Sequence, residues 1–284
     1  MTCFSIVTPS YNQGRFLREC LASVAAQKAE VEHIVIDGGS TDGSVEVIQE
    51  HADALAYWVS EPDGGQYDAI NRGFARATGD VFAWLNSDDV YFPWTLKTVA
   101  ALFDSFPHIE WLTTRYPTAI DADGVMIKVG DIQGFDRKSF FDGMNLAGAG
   151  WEADGWIQQE ATFWRRSLWE RAGGKVRSDM RFAADFDLWC RFFKVASLHT
   201  VDVPLGTYRY HEAQKTSTAL GTYVDEAREV LLAHGGHFPD PEKAAWRTAQ
   251  RRLPLGRAHL TAAGWAEHAP MLTYDWVERR WTEN

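Results

Sequence analysis

Four short apolar runs, separated by three segments of helical periodicity, fill the first hundred residues and limit what this chain can fold into. Phe4-Ser5-Ile6-Val7-Thr8 is rich in β formers and ends at Pro9. From Arg15 to Lys28, the residues Phe16, Leu17, Cys20, Leu21, Val24 and Ala25 fall on one helical stripe. His33-Ile34-Val35-Ile36-Asp37 is a second strand, closed by Gly38-Gly39, after which Thr41 or Asp42 caps a helix carrying Val45, Val47 and Ile48. Tyr57-Trp58-Val59 is a third strand, Tyr67 to Ala77 a third helix, and Val81 to Leu85 a fourth strand. Such alternation predicts an α/β fold with a doubly wound, mostly parallel, Rossmann-like sheet. Ligands of these sheets bind beyond the carboxyl ends of the strands. Pro9-Ser10-Tyr11-Asn12, Asp37-Gly38-Gly39 and Asn86-Ser87-Asp88-Asp89 all fall there.

Asn86-Ser87-Asp88-Asp89 carries the sharpest chemistry. Two adjacent carboxylates at the end of a buried strand repel one another and lose hydration together. A divalent cation relieves both problems, and carboxylate oxygens joined by substrate phosphates are the usual ligands of Mg or Mn. The competing reading is that Asp88 and Asp89 only cap a helix starting near Pro93-Trp94.

Composition removes other classes. The net charge of −11 argues against nucleic acid, whose binding rests on Lys and Arg. Cys3, Cys20 and Cys190 are scattered, with no CxxC, so neither a disulfide framework nor a zinc site is expected from them. Met1 is followed at once by strand-like sequence, with no secretory leader, and no apolar run approaches the length of a spanning helix. A cytoplasmic chain is expected, with any membrane contact peripheral at the inner face. Beyond residue 110 the alternation loosens. Glu110 to Tyr116 and Gly124 to Val129 read as strands around an Asp121-Ala122-Asp123-Gly124 turn, and Trp151 to Trp164 as loop. Asp185 to Val195 reads as a helix and Leu198 to Val203 as a strand. From Thr222 onward the pattern is helical, broken at Pro239, Pro254 and Pro270. This divides the chain into a main domain, 1–220, and a C-terminal helical extension, 221–284.

Several ordered motifs resemble the family-2 glycosyltransferases of GT-A fold, of the bacterial surface-glycan type. They are Val7-Thr8-Pro9-Ser10-Tyr11-Asn12, Ile36-Asp37-Gly38-Gly39-Ser40-Thr41-Asp42-Gly43, Ser60-Glu61-Pro62-Asp63-Gly64-Gly65, Tyr67-Asp68-Ala69-Ile70-Asn71-Arg72-Gly73 and Asn86-Ser87-Asp88-Asp89. The likeness resumes at Gln158 to Arg166, at Ala184-Asp185-Phe186-Asp187-Leu188-Trp189 and at Tyr208-Arg209-Tyr210-His211, and leaves 222–284 uncovered. It implies a nucleotide-diphosphate-sugar donor, usually UDP-linked, and inversion at the anomeric carbon. By the same resemblance Thr8, Pro9 and Tyr11 match the base-binding segment, and Asp37 the acid that accepts a hydrogen bond from the uracil imide. Asp63 and Arg72 line the nucleotide. Asp89 is the direct Mn2+ or Mg2+ ligand, Asp88 lies nearer the ribose, and His211 lies by the diphosphate as a further metal contact. Asp185 matches the catalytic base. Many relatives have an acid just before that base, where this chain has Ala184.

The chemistry implied is one in-line displacement, with a base on the acceptor side and charge stabilisation on the leaving side. Each residue also has a plainer role. Asp37 can end a strand, Asp185 and Asp187 can favour a helix dipole, and His211 can be structural. Trp151, Trp156 and Trp164 cluster where the acceptor approaches, and Trp156 is the candidate for stacking on a sugar; ordinary packing is the alternative. Arg247, Arg251, Arg252, Arg257, Arg279 and Arg280 lie near Trp246, Trp276 and Trp281, suiting a membrane surface, a dimer contact or a solvated face. The expected protein is an inverting, metal-dependent, non-processive transferase that acts on a glycan or lipid-linked glycan acceptor in surface polysaccharide synthesis. A sugar nucleotidyltransferase and an inactive nucleotide-binding scaffold are the alternatives. No residue pattern fixes the sugar, the linkage or the oligomeric state.

Overall fold

The computed structural model describes residues 2–146, 155–212, 214–238, 240–251, 253 and 255–284. The first half follows the alternation: β1 (Cys3–Ser10), α1 (Gly14–Ala25), β2 (Glu30–Asp37), α2 (Ser44–Glu50), β3 (Tyr57–Ser60), α3 (Gln66–Phe74) and β4 (Val81–Trp84). Next come β5 (Val90–Tyr91), α4 (Thr95–Ser105), β6 (Trp111–Thr114), β7 (Thr118–Ile120), β8 (Met126–Val129) and α5 (Arg137–Phe141). The chain continues through β9 (Phe163–Arg165), α6 (Arg166–Arg171), α7 (Ala184–Phe193), β10 (Leu198–Val201) and β11 (Gly206–Arg209). It ends with α8 (Lys215–Ala233), α9 (Pro241–Arg251), α10 (Gly256–Ala262), β12 (Met271–Asp275) and β13 (Arg280–Glu283).

Among the described residues one nine-stranded sheet runs β13-β12-β10-β6-β9-β4-β1-β2-β3, and a four-stranded one runs β5-β11-β7-β8. The large sheet is mostly parallel, as the alternation predicts. The exceptions are β9, antiparallel to both β4 and β6, and the β12–β13 hairpin at the edge. Strand residues alternate between two cores, as a pleat with both faces covered requires. Val7, Phe82, Trp84, Trp111 and Trp164 enter one core. Phe4, Ile6, Val81, Ala83, Leu112 and Phe163 enter the other. The stripe of α1 is buried as its spacing predicts, through Phe16, Leu17, Cys20, Leu21 and Val24. α3 lies against β1 at Gly73, where a Cβ would come within 2.4 Å of Val7 Cγ1.

Three expectations need correction. The strand facing β8 across the Asp121–Gly124 turn is β7, whereas β6 belongs to the large sheet. The 151–164 stretch, read as loop, contributes β9 to the sheet interior. The C-terminal region is helical through α10, but its end is a β-hairpin that extends the large sheet beyond β10. α8 also runs across residue 220, and its Ala227, Val230 and Leu231 join the same core as Trp84.

Candidate active site

The carboxyl ends of β1, β2 and β4 lie side by side, and their loops are laced together. Asn12, at φ 52°, accepts the Thr41 N–H on its side chain at 2.9 Å and donates its own N–H to Ser40 Oγ at 2.8 Å. Tyr11 stands out from this rim, 64% exposed. Thr8 and Pro9 are buried in β1, and the Thr8 hydroxyl pairs with His33 Nε2 at 3.0 Å inside the sheet. The Thr8 side chain therefore faces the protein interior. Asp37 is likewise fully buried. It accepts hydrogen bonds from the Gly39 and Ser40 N–H groups and from the Ser40 and Ser60 hydroxyls, at 2.5 to 3.1 Å. Its carboxylate braces the loop. Asp63 covers Gly38, where a Cβ would lie 3.1 Å from Asp63 Oδ2. Partial burial raises the Asp63 pKa. Arg72, at the end of α3, pairs with Glu61.

Asp88 and Asp89 cap no helix. α4 begins after Trp94 and has no side-chain cap, which removes the capping alternative. Asp88 Oδ2 instead faces His211 Nε2 at 3.0 Å. Asp89 is 3% exposed, accepting the Arg209 backbone N–H at 2.9 Å on one oxygen and Asn86 Nδ2 at 3.0 Å on the other. Asp88 thus meets the imidazole, while both Asp89 oxygens are bonded within the protein. Arg209 is a buried strut between elements. Its Nε donates to the Asp88 carbonyl at 2.9 Å and its Nη2 to Glu19 at 2.5 Å, and the guanidinium packs 5.1 Å from the Phe16 ring. The same ring lies 4.5 Å from that of His211.

Glu160 brings a further carboxyl into this region, buried and bonded to Gln158 Nε2 at 2.6 Å. Burial pushes it up to about 7, and the charges of Asp88 and Asp185 act in the same sense. Asp89 is raised well above its usual range, first by burial and then by Asp88 and Glu160. Such mutual destabilisation of carboxylates, with an imidazole facing one of them, is the donor chemistry a divalent cation suits. Asp185 opens the first turn of α7, with Oδ1 accepting the Phe186 N–H at 2.8 Å. Burial, helped by Glu226, lifts it to about 6. Glu226, from α8, accepts the backbone N–H groups of Arg181, Phe182 and Ala183 at 2.8 to 3.2 Å and so fixes the entry to α7. Tyr67 holds the same entry by donating to the Phe182 carbonyl. Ala184 is fully buried. Asp187 bonds Arg191 and His234, which ties α7 to the end of α8.

Glu160 and Arg209 stand inside motifs already singled out, yet neither was assigned a role; their residue types were the available signal. Glu226 lies in the uncovered tail and gave none. Trp156 is half-buried, with Lys128 Nζ 4.9 Å from its ring centroid. Trp164 is wholly buried against Trp84, Trp169 and Trp189, which makes it core. Trp151, Arg252 and the side chains of Arg251 and Arg257 lie outside the described residues. Arg247 is 2% exposed and bonds Asp142, Ser139 and the Trp265 carbonyl, so it belongs to no basic surface. Trp276 is 83% exposed. No helix among the described residues is long and apolar enough to cross a membrane.

The Glycosyl transferase family 2 model matches residues 5–140. An uncharacterized glycosyltransferase of Mycobacterium tuberculosis is 47% identical over 87 residues, 30% of this chain and 33% of that protein. The match thus spans about a third of that relative's length. Among solved structures, S. aureus TarS 1–349 in complex with UDP-GlcNAc superposes with a TM-score of 0.65 at 17% identity, over 92% of this chain and 75% of that one. Mannosyltransferase PcManGT from Pyrobaculum calidifontis, in complex with GDP-Man and Mn2+, gives 0.57 at 19% identity, over 94% and 76%. At these identities the likeness to the solved structures is one of fold.

Proposed function

We propose, from the match of the Glycosyl transferase family 2 model to residues 5–140 and from the GT-A fold, that this chain is a family-2 glycosyltransferase that transfers a sugar from a nucleotide-diphosphate donor with inversion. The observation that carries this reading is the crevice in which Asp88, Asp89, Glu160 and His211 meet at the sheet's carboxyl end, within electrostatic reach of Asp185. Asp185 takes the proton of the attacking acceptor hydroxyl. Its Oδ1 is held by the Phe186 N–H, and a pKa of about 6 leaves it ionised yet basic at neutral pH. The Asp88–Asp89 pair and His211 would hold Mn2+ or Mg2+, which when bound offsets the charge gathered on the departing nucleoside diphosphate. Asp88 and His211 are the two whose ligand atoms face each other, with Asp89 behind them keeping the turn in place.

Tyr11, Asp63 and Arg72 lie on the rim that would receive the nucleotide, Thr8 and Pro9 shape it from within β1, and Asp37 supports it from below. The donor is read as UDP-linked; UDP-GlcNAc in TarS supports that, while GDP-Man in the Pyrobaculum enzyme makes GDP the competitor to test. The acceptor is read as a glycan or lipid-linked glycan of a bacterial surface polysaccharide, with the half-buried Trp156 as the side chain that would stack on it. In this reading residues 1–220 carry the chemistry, the extension braces α7, and the chain works at the inner face of the cell membrane.

The test is donor turnover. Wild-type protein with Mn2+ is expected to release UDP from one UDP-sugar, faster when acceptor is supplied. Asp185→Asn is expected to bind that donor normally and to turn it over about 10^2- to 10^4-fold more slowly. Equal turnover by the variant would remove Asp185 from the mechanism.

A further inference from the structure

At the opposite end of the sheet from this crevice, three ligand-type side chains converge from distant parts of the chain. His108 lies in the turn between α4 and β6, His199 is the second residue of β10, and Glu283 is the last residue of β13. His108 Nε2 lies 2.8 Å from Glu283 Oε2, and His199 Nε2 lies 2.9 Å from Glu283 Oε1. One ligand atom from each falls within 4.8 Å of the others, and among the described residues no other trio of His, Cys, Asp or Glu does so. The two imidazoles stand edge to face, with ring centroids 6.2 Å apart, so both Nε2 atoms point at one carboxylate from different sides.

We infer that His108, His199 and Glu283 form a site for a transition-metal cation of the zinc class, separate from the acidic crevice. The donor set decides the class. Two imidazoles and one carboxylate are an arrangement zinc uses with a water in the fourth position, while Mg and Ca prefer oxygen alone. Zinc bonds of about 2.0–2.2 Å place tetrahedral ligand atoms about 3.3–3.6 Å apart, so the two imidazole–carboxylate contacts of 2.8 and 2.9 Å must open by a few tenths of an ångström to admit the ion. Two of the three can move: the side chains of His108 and Glu283 are 60% and 33% exposed, while that of His199, 8% exposed, is the fixed anchor. The site would pin β13, and with it the whole C-terminal hairpin, to β10 and to the turn before β6. It would therefore act on stability, and the inference does not depend on the proposed transfer reaction.

The test uses the full chain, stripped by chelator and dialysed into millimolar Mg2+, which would compete for the oxygen-rich crevice. Zn2+ is then titrated in competition with a chromophoric chelator. One equivalent is expected to bind at micromolar concentration or below and to raise the melting temperature, because the ligand favours the folded state. His108→Ala and Glu283→Gln, both at the surface, are each expected to weaken that binding by more than the ~10- to 100-fold that loss of an outer-shell partner costs. His211→Ala is expected to leave it unchanged. Failure to bind zinc in Mg2+, or an equivalent lost with His211→Ala but kept in the other two variants, overturns the inference. Zinc-edge X-ray absorption of the wild-type complex gives a reading free of any variant, and a first shell without two imidazoles also overturns it.

Discussion

Asp185 and Glu160 are two carboxyls of one crevice whose surroundings set them apart by role. Asp185 has the Phe186 N–H to hold its charged form and sits at about 6, whereas Glu160 is buried deeper in acidic company and sits at about 7. A base works only when ionised, so kcat/KM is expected to fall as pH drops through about 6, which a pH–rate profile reads directly. Glu160 bears on stability instead. Its folded pKa of about 7 lies above the ordinary 4.5, so the native state binds more protons than the unfolded one between those values. Stability contributed by this group is therefore present at low pH and lost as pH rises through that window. Metal-free wild-type protein is expected to lose melting temperature between pH 5 and 8, and Glu160→Gln to flatten that slope. A slope unchanged by the substitution would show that Glu160 titrates normally.

At the scale of elements, the close contact of α3 with β1 turns on one side chain that is missing. Any side chain at Gly73 would press on Val7, whose branched carbons have no free direction in a buried strand. Gly73→Ala is expected to cost about 1–3 kcal/mol in chemical denaturation, the range for overpacking a filled core. The elements legible in the sequence were those whose own spacing sets their burial, such as the α1 stripe and the continuous apolar run of β4. β9 was illegible because Phe163-Trp164-Arg165 is too short to show a period and becomes a strand only by pairing between β4 and β6. The terminal hairpin was missed because its partner, β10, lies about seventy residues earlier. The crevice was legible as a set of strand ends. The burial of Thr8 and Asp37 was not, since it depends on His33, Ser40 and Ser60 reaching them through the fold.

For the whole molecule, α8 joins the main core and Glu226 reaches from it to hold the entry of α7, so the C-terminal region helps position the proposed base. The net charge of −11 makes the acidic crevice a poor place for a nucleoside diphosphate unless a cation bridges the two. This dependence is the centre of the account, and calorimetric titration tests it most directly. UDP and GDP would each be added with and without Mn2+ to wild type, Asp88→Asn and His211→Ala. Wild type is expected to bind one nucleotide tightly only with Mn2+, and both variants to lose at least tenfold in affinity. Equal binding without the cation, or variants that bind like wild type, would contradict the assignment of this crevice as a metal-dependent donor site.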